Sequence, residues 1–137
     1  MTEECFQQHP LDFAGEVQWL QHLNGSRYQI PMAKVTTGTT PPGSQWARQP
    51  IPGCVDKHGF SDVCGADGTE YPAPLPGLYG FGYTNSTKVG DKYHDFSIVD
   101  TVRVPADVAP GAYLVSWRWD CEQTTQIWQN CADITIV

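Results

Sequence analysis

The feature that most constrains this chain is the alternation running through AYLVSWRWD, residues 112–120. A period of two matches the pleat of a β-strand, where successive side chains point to opposite faces. Tyr113, Val115, Trp117 and Trp119 then share one face, and Leu114, Ser116 and Arg118 the other. CADITIV, residues 131–137, repeats the pattern, with Ala132, Ile134 and Ile136 alternating against Asp133 and Thr135. FSIVDTVRVP, residues 96–105, reads as a further strand, and Pro110-Gly111 as the turn between the two. Upstream, Arg27–Ile30 and Ala33–Thr37 are short extended segments bounded by Asn24-Gly25 and by Pro41-Pro42-Gly43. Helical periodicity is scarce: Leu11–Leu23 suits a turn or two of helix or a strand equally well. The pattern predicts an all-β chain, an antiparallel β-sandwich of the immunoglobulin or fibronectin kind, as a single domain over residues 1–137. At 137 residues the chain is long enough for one hydrophobic core and too short for two full domains.

Between the early strands and the C-terminal strands of 96–137 lies a long loop region, about 38–95, crowded with Pro and Gly (TTPPGS, RQPIPG, YPAPLPG, YGFGYTN). So long an irregular stretch inside a compact domain is uncommon and is usually functional. Its aromatics, Trp46, Phe60, Tyr71, Tyr79, Phe81 and Tyr83, are expected mostly to pack as a satellite core, since exposed apolar patches are uncommon on soluble monomers. Trp46 and Tyr79 are the candidates for contact with a sugar ring.

Charge narrows the partners. A formal net charge of −7 with eight Lys and Arg scattered along the chain argues against nucleic acid and anionic membranes, which need clustered basic residues. Neutral polysaccharides meet no such repulsion. The five cysteines point to an oxidising compartment: Cys54 with Cys64, and Cys121 with Cys131, bracket short loops that disulfides can close. The alternative, a metal site, calls for closer C-x2-C spacing backed by His. Two glycosylation sequons, at Asn24 and Asn85, agree with a secreted, extracellular protein. The start, MTEECFQQHPLDF, lacks the basic and then apolar build of a signal peptide, and Cys5 is the odd thiol. Both suggest an upstream segment, or a partner chain joined through Cys5.

VPADVAPGAYLVSWRWD followed by QIWQNCADITIV resembles the C-terminal part of the lytic polysaccharide monooxygenases, the chitin-binding type-4 copper enzymes. TEECFQ and GSQWARQPIP also look like the middle of algal and protist-type members. The resemblance covers most of this chain but only the later part of the family's domain, so it implies a truncated sandwich. It implies an enzyme that oxidises chitin or cellulose with a copper ion held by an N-terminal His and a second His. Nitrogen ligands of this kind suit copper, and an open position allows oxygen chemistry. The resemblance places Trp128 where the family has its axial aromatic, and Gln126 loosely where some members have a glutamine near the bound oxygen. An indole offers the metal no oxygen ligand, so Trp128 would shape and dry such a site. Neither brace histidine can be placed on this chain, whose first residue is Met, so no copper binding is expected from it alone.

His9, His22, His58 and His94 lack metal-ligand spacing and read as surface or loop histidines. Trp117 and Trp119 read as core packing, and Arg118 as the surface partner of Asp120 or Glu122. There is no G-x-S-x-G, phosphate-cradling glycine motif or H-E-x-x-H. Two alternatives to a monooxygenase-like domain therefore stay open: a non-catalytic polysaccharide-binding module, and a structural subunit whose missing strands come from a partner chain.

Overall fold

A computed structural model describes residues 2–53, 69–76, 78, 96–121 and 124–137. Among the described residues the chain is mostly β, with one five-residue helix, α1 (Glu3–Gln7). Its strands are β1 (Asp12–Phe13), β2 (Val17–His22), β3 (Arg27–Pro31), β4 (Lys34–Val35), β5 (Trp46–Ala47), β6 (Phe96–Val99), β7 (Val102–Arg103), β8 (Gly111–Asp120) and β9 (Ile127–Ile136). They form four sheets among the described residues: β3-β2-β6, β8-β9, β1-β7 and β4-β5. The chain divides into two compact units, one of Asp12–Val102 and one of Met1–Leu11 with Arg103–Val137.

The first unit is built on β2, which pairs antiparallel with β3 on one side and β6 on the other. The ambiguous Leu11–Leu23 segment thus resolves as a strand. Its alternation decides the matter: Gln18 and Leu20 turn inward while Val17, Trp19 and Gln21 are only partly covered. The β2–β3 hairpin turns at Asn24-Gly25. Asn24 Oδ1 accepts from the Ser26 amide at 2.9 Å and hydroxyl at 2.8 Å, and Gly25 takes φ +88°, a conformation open to glycine at little cost. β3 is an edge strand and ends on Pro31, where a missing N–H costs no ladder bond. Leu20, fully buried, clusters with Ile30, Ile51 and Leu78, and Leu75, Phe96 and Ile98 pack against them. Each such burial contributes about 1.5–3 kcal/mol.

FSIVDTVRVP, expected as one strand, is two. Through Val99 the chain pairs with β2, then at Asp100–Thr101 it changes partner. Asp100 Oδ1 accepts from Gln18 Nε2 at 2.7 Å and the Thr101 carbonyl accepts from the Ala14 amide at 2.7 Å.

The second unit is a long hairpin with α1. β8 and β9 pair without interruption from Gly111↔Ile136 to Asp120↔Ile127. The Cys121 amide donates to the Gln126 carbonyl at 3.0 Å, closing the tip. The last strand therefore begins at Ile127, four residues before the expected CADITIV segment. The expected Cys121–Cys131 disulfide is also corrected: both thiols are free. Cys131 faces Ser116, and Cys121 lies five residues farther along, roughly 16 Å at strand spacing. A disulfide requires Cα atoms about 4.4–6.8 Å apart. Cys5 is likewise free, and Cys54 and Cys64 lie outside the described residues.

Candidate functional site

Antiparallel register places directly opposed residues on the same face. One face of the hairpin therefore carries Tyr113 with Ile134, Val115 with Ala132, Trp117 with Asn130, and Trp119 with Trp128. Three indoles thus come together near the hairpin tip. Trp117 and Trp119 have ring centroids 6.4 Å apart, tilted by 44°. Trp119 and Trp128 stand directly across the ladder from each other. Trp117 is 54% exposed and Trp128 53%. The expectation that Trp117 packs in a core is thereby overturned, although the alternation that put it beside Trp119 is correct.

The opposite face holds α1. There Arg118 and Gln129 are register partners, and both reach Glu3 on the helix. Arg118 Nη1 donates to Glu3 Oε1, and Gln129 Nε2 donates to Glu3 Oε2 at 2.6 Å. Gln7 Nε2 adds a bond to Glu3 Oε1 at 3.1 Å, one helical turn away. These donors, with Gln7 foremost and then Arg118 and Gln129, hold the Glu3 carboxyl below the usual glutamate range. Arg118 also grips Asp120, Nε to Oδ1 at 2.7 Å and Nη2 to Oδ2 at 3.1 Å, as its position on the strand suggested. Chiefly through Asp120, its own pKa is raised. The polar bonds that dock α1 thus lie on one side of the ribbon, and the aromatic side carries none of them.

The remaining site candidates scatter. Gln126 sits in the hairpin turn, its amide 3.4 Å from Thr124 Oγ1 and its carbonyl engaged by Cys121, so it serves the turn's geometry. Trp46 belongs to β5 in the other unit, opposite Val35, and its Nε1–H donates to the Thr40 carbonyl at 3.3 Å. It is half-buried and tied to its loop. Tyr79, His58 and His94 lie outside the described residues. His9 is exposed just beyond α1, whereas His22 packs among rings, edge-on to Tyr28 at 5.5 Å and tilted against Phe96 at 5.5 Å. No group of three His, Cys, Asp or Glu side chains converges among the described residues. The described residues thus present no cluster that fits a copper brace. No described helix is long and apolar enough to cross a membrane.

Sequence reasoning passed over Gln18 and Arg48, which line a cleft in the first unit together with Tyr71, named there only among the loop aromatics. The only signal was a glutamine at an inward position of VQWLQH, and it meant nothing until the inward face was known. No protein-family model, curated protein or solved structure matches the chain.

Proposed function

We propose that the chain is a polysaccharide-binding β-module that adheres to neutral chitin or cellulose through the aromatic face of its terminal hairpin. The observation that carries this reading is the exposure of Trp117 and Trp128 beside Trp119 on the face opposite α1. A pyranose ring turns its axial C–H groups, weakly positive, toward the negative face of an indole, and no charge is needed on either side. An uncharged polymer also escapes the repulsion that a protein of net charge −7 exerts on polyanions. In the same proposal the module is secreted: Asn24 is exposed at its turn, open to glycosylation.

The test is retention on insoluble chitin and cellulose. Trp117→Ala and Trp128→Ala should each weaken binding about tenfold, the equivalent of roughly 1.4 kcal/mol. Full retention by the double variant would end the reading.

A second reading is favoured by a different observation. A two-stranded ribbon standing alone is marginally stable in water, yet β8 and β9 run ten residues each without one buried residue. In that reading the hairpin is the end of an immunoglobulin-like sandwich, the C-terminal portion of a monooxygenase-like domain, and the indoles form an inner wall once further strands are added. Copper would then depend on histidines that the described residues do not supply. Additional strands could come from an upstream segment or from a partner chain, with exposed Cys5 available as a covalent link. A stable monomer in sedimentation, with retention dependent on Trp117, favours the binding module over this alternative.

A further inference from the structure

Resting on the polysaccharide reading of the hairpin, we propose that its aromatic face takes a single, twisting, neutral glycan chain rather than the flat surface of a crystalline polymer.

The rings themselves set the limit. The planes of Trp117 and Trp119 are tilted by 44° with centroids 6.4 Å apart, so no flat surface can lie parallel to both. Stacking lays the sugar against the face of an indole, and a crystalline sheet could therefore engage only one of the pair. The ribbon beneath adds to this. Adjacent strands rotate by about 20–25°, and by more in a two-stranded ribbon such as β8–β9, so a rigid flat surface diverges from the face along its length. A single chain escapes that constraint: successive pyranoses turn about the glycosidic bond, and each can meet one indole squarely.

The indoles mark out a path. Trp119 follows Trp117 along β8, and Trp128 stands across the ladder from Trp119 on β9. Same-face neighbours lie roughly 7 Å apart along a strand and about 5 Å apart across a pair, close to the step from one sugar to the next. Trp117 and Trp128 are 54% and 53% exposed, and Trp119 between them is partly covered. Asn130, across from Trp117, supplies a polar contact. Its Oδ1 accepts from the Cys131 amide at 2.8 Å, which orients the side chain with Nδ2 as the available donor, suited to a hydroxyl or an acetamido oxygen. Every residue of the face, from Gly111 with Ile136 to Trp119 with Trp128, is uncharged. An acidic glycan would find no ion pair there and would meet the net charge of −7.

The full chain would be titrated with the β-1,4-linked dimers and hexamers of glucose and of N-acetylglucosamine, following indole fluorescence. Its retention would be compared on swollen amorphous and on crystalline cellulose and chitin. A saturable shift with at least one hexamer is expected, with a dissociation constant on the order of 10–100 μM and about tenfold tighter than for the dimer, which cannot reach all three indoles. The hexamer should also displace the protein from the swollen polymers. Trp117→Ala and Trp128→Ala should each weaken hexamer binding about tenfold, and Asn130→Ala about threefold. The comparison of ligands uses the wild-type protein and so stands whether or not the variants fold. Retention on the polymers without a shift by either hexamer, or retention on crystalline polymer that the hexamers do not displace, would overturn the single-chain proposal and leave the polysaccharide reading standing. Unchanged hexamer affinity in Trp117→Ala would overturn it as well. No retention on any preparation and no shift with either hexamer would end both, and a dimer in sedimentation would then identify a second copy of the chain as what covers the face.

Discussion

The two units of this chain put the same strand chemistry to opposite use. In Asp12–Val102, a six-residue strand, β2, is flanked on both sides and buries Gln18 and Leu20, and a handful of side chains from loops and neighbouring strands complete its core. In the hairpin unit, two strands of ten residues have a perfect ladder and no buried residue. The contrast teaches that backbone pairing fixes geometry while burial supplies most of the stability. A hydrogen bond exchanged with water nets only about 1 kcal/mol, and a ribbon facing water on its aromatic side gains little more.

The sharpest way to break this contrast is Leu20→Ala. It should destabilise the protein by about 2–5 kcal/mol in chemical denaturation, because a fully buried side chain leaves a cavity. A loss below ~1 kcal/mol would mean that the β2 core is not what holds the first unit. Trp117→Ala or Trp128→Ala, removing a larger side chain, should cost less than about 1 kcal/mol, since half of each ring is already in water. The predicted cost appears instead in polysaccharide retention.

A smaller effect comes from the helix side of the ribbon. The folded Glu3 carboxyl titrates below its unfolded value, so its contribution is present above the ordinary glutamate range and is lost as pH falls through the lowered folded pKa. Acidification below that range should loosen α1 from Arg118 and Gln129, visible as a shift of the Gln129 side-chain amide signal. Glu3→Gln should reproduce the loosened state at neutral pH, and a pH-independent signal in the wild type would argue that the lock does not form. Smallest of all is the thiol arm. Cys5 and Cys131, both exposed, should be alkylated without prior reduction, and Cys121→Ser should change stability by less than about 0.5 kcal/mol. An intact, alkylation-resistant Cys121–Cys131 pair would require a different β8–β9 register.

Much of the local structure was legible because it is governed by neighbours in sequence. The period-two pattern of AYLVSWRWD gave the faces of β8 correctly, and Asn24-Gly25 marked the β2–β3 turn. The Cys121–Cys131 bridge was misjudged because a ten-residue step looks like a closable loop only while its path is unknown. Once both cysteines enter one hairpin, strand register sets their separation. Trp117 was misjudged for a related reason: alternation reveals which residues share a face but not whether anything covers it.

By itself, then, the sequence determined the β character of the C-terminal segments, the sidedness of the hairpin and the net negative charge, all properties of short-range periodicity and composition. Only the tertiary structure decided that the indole face lies open, that the thiols stand apart, and that Gln18 and Arg48 line one cleft. Those outcomes depend on which distant segments pair and pack, and residues dozens of positions apart carry no mark of that in their order.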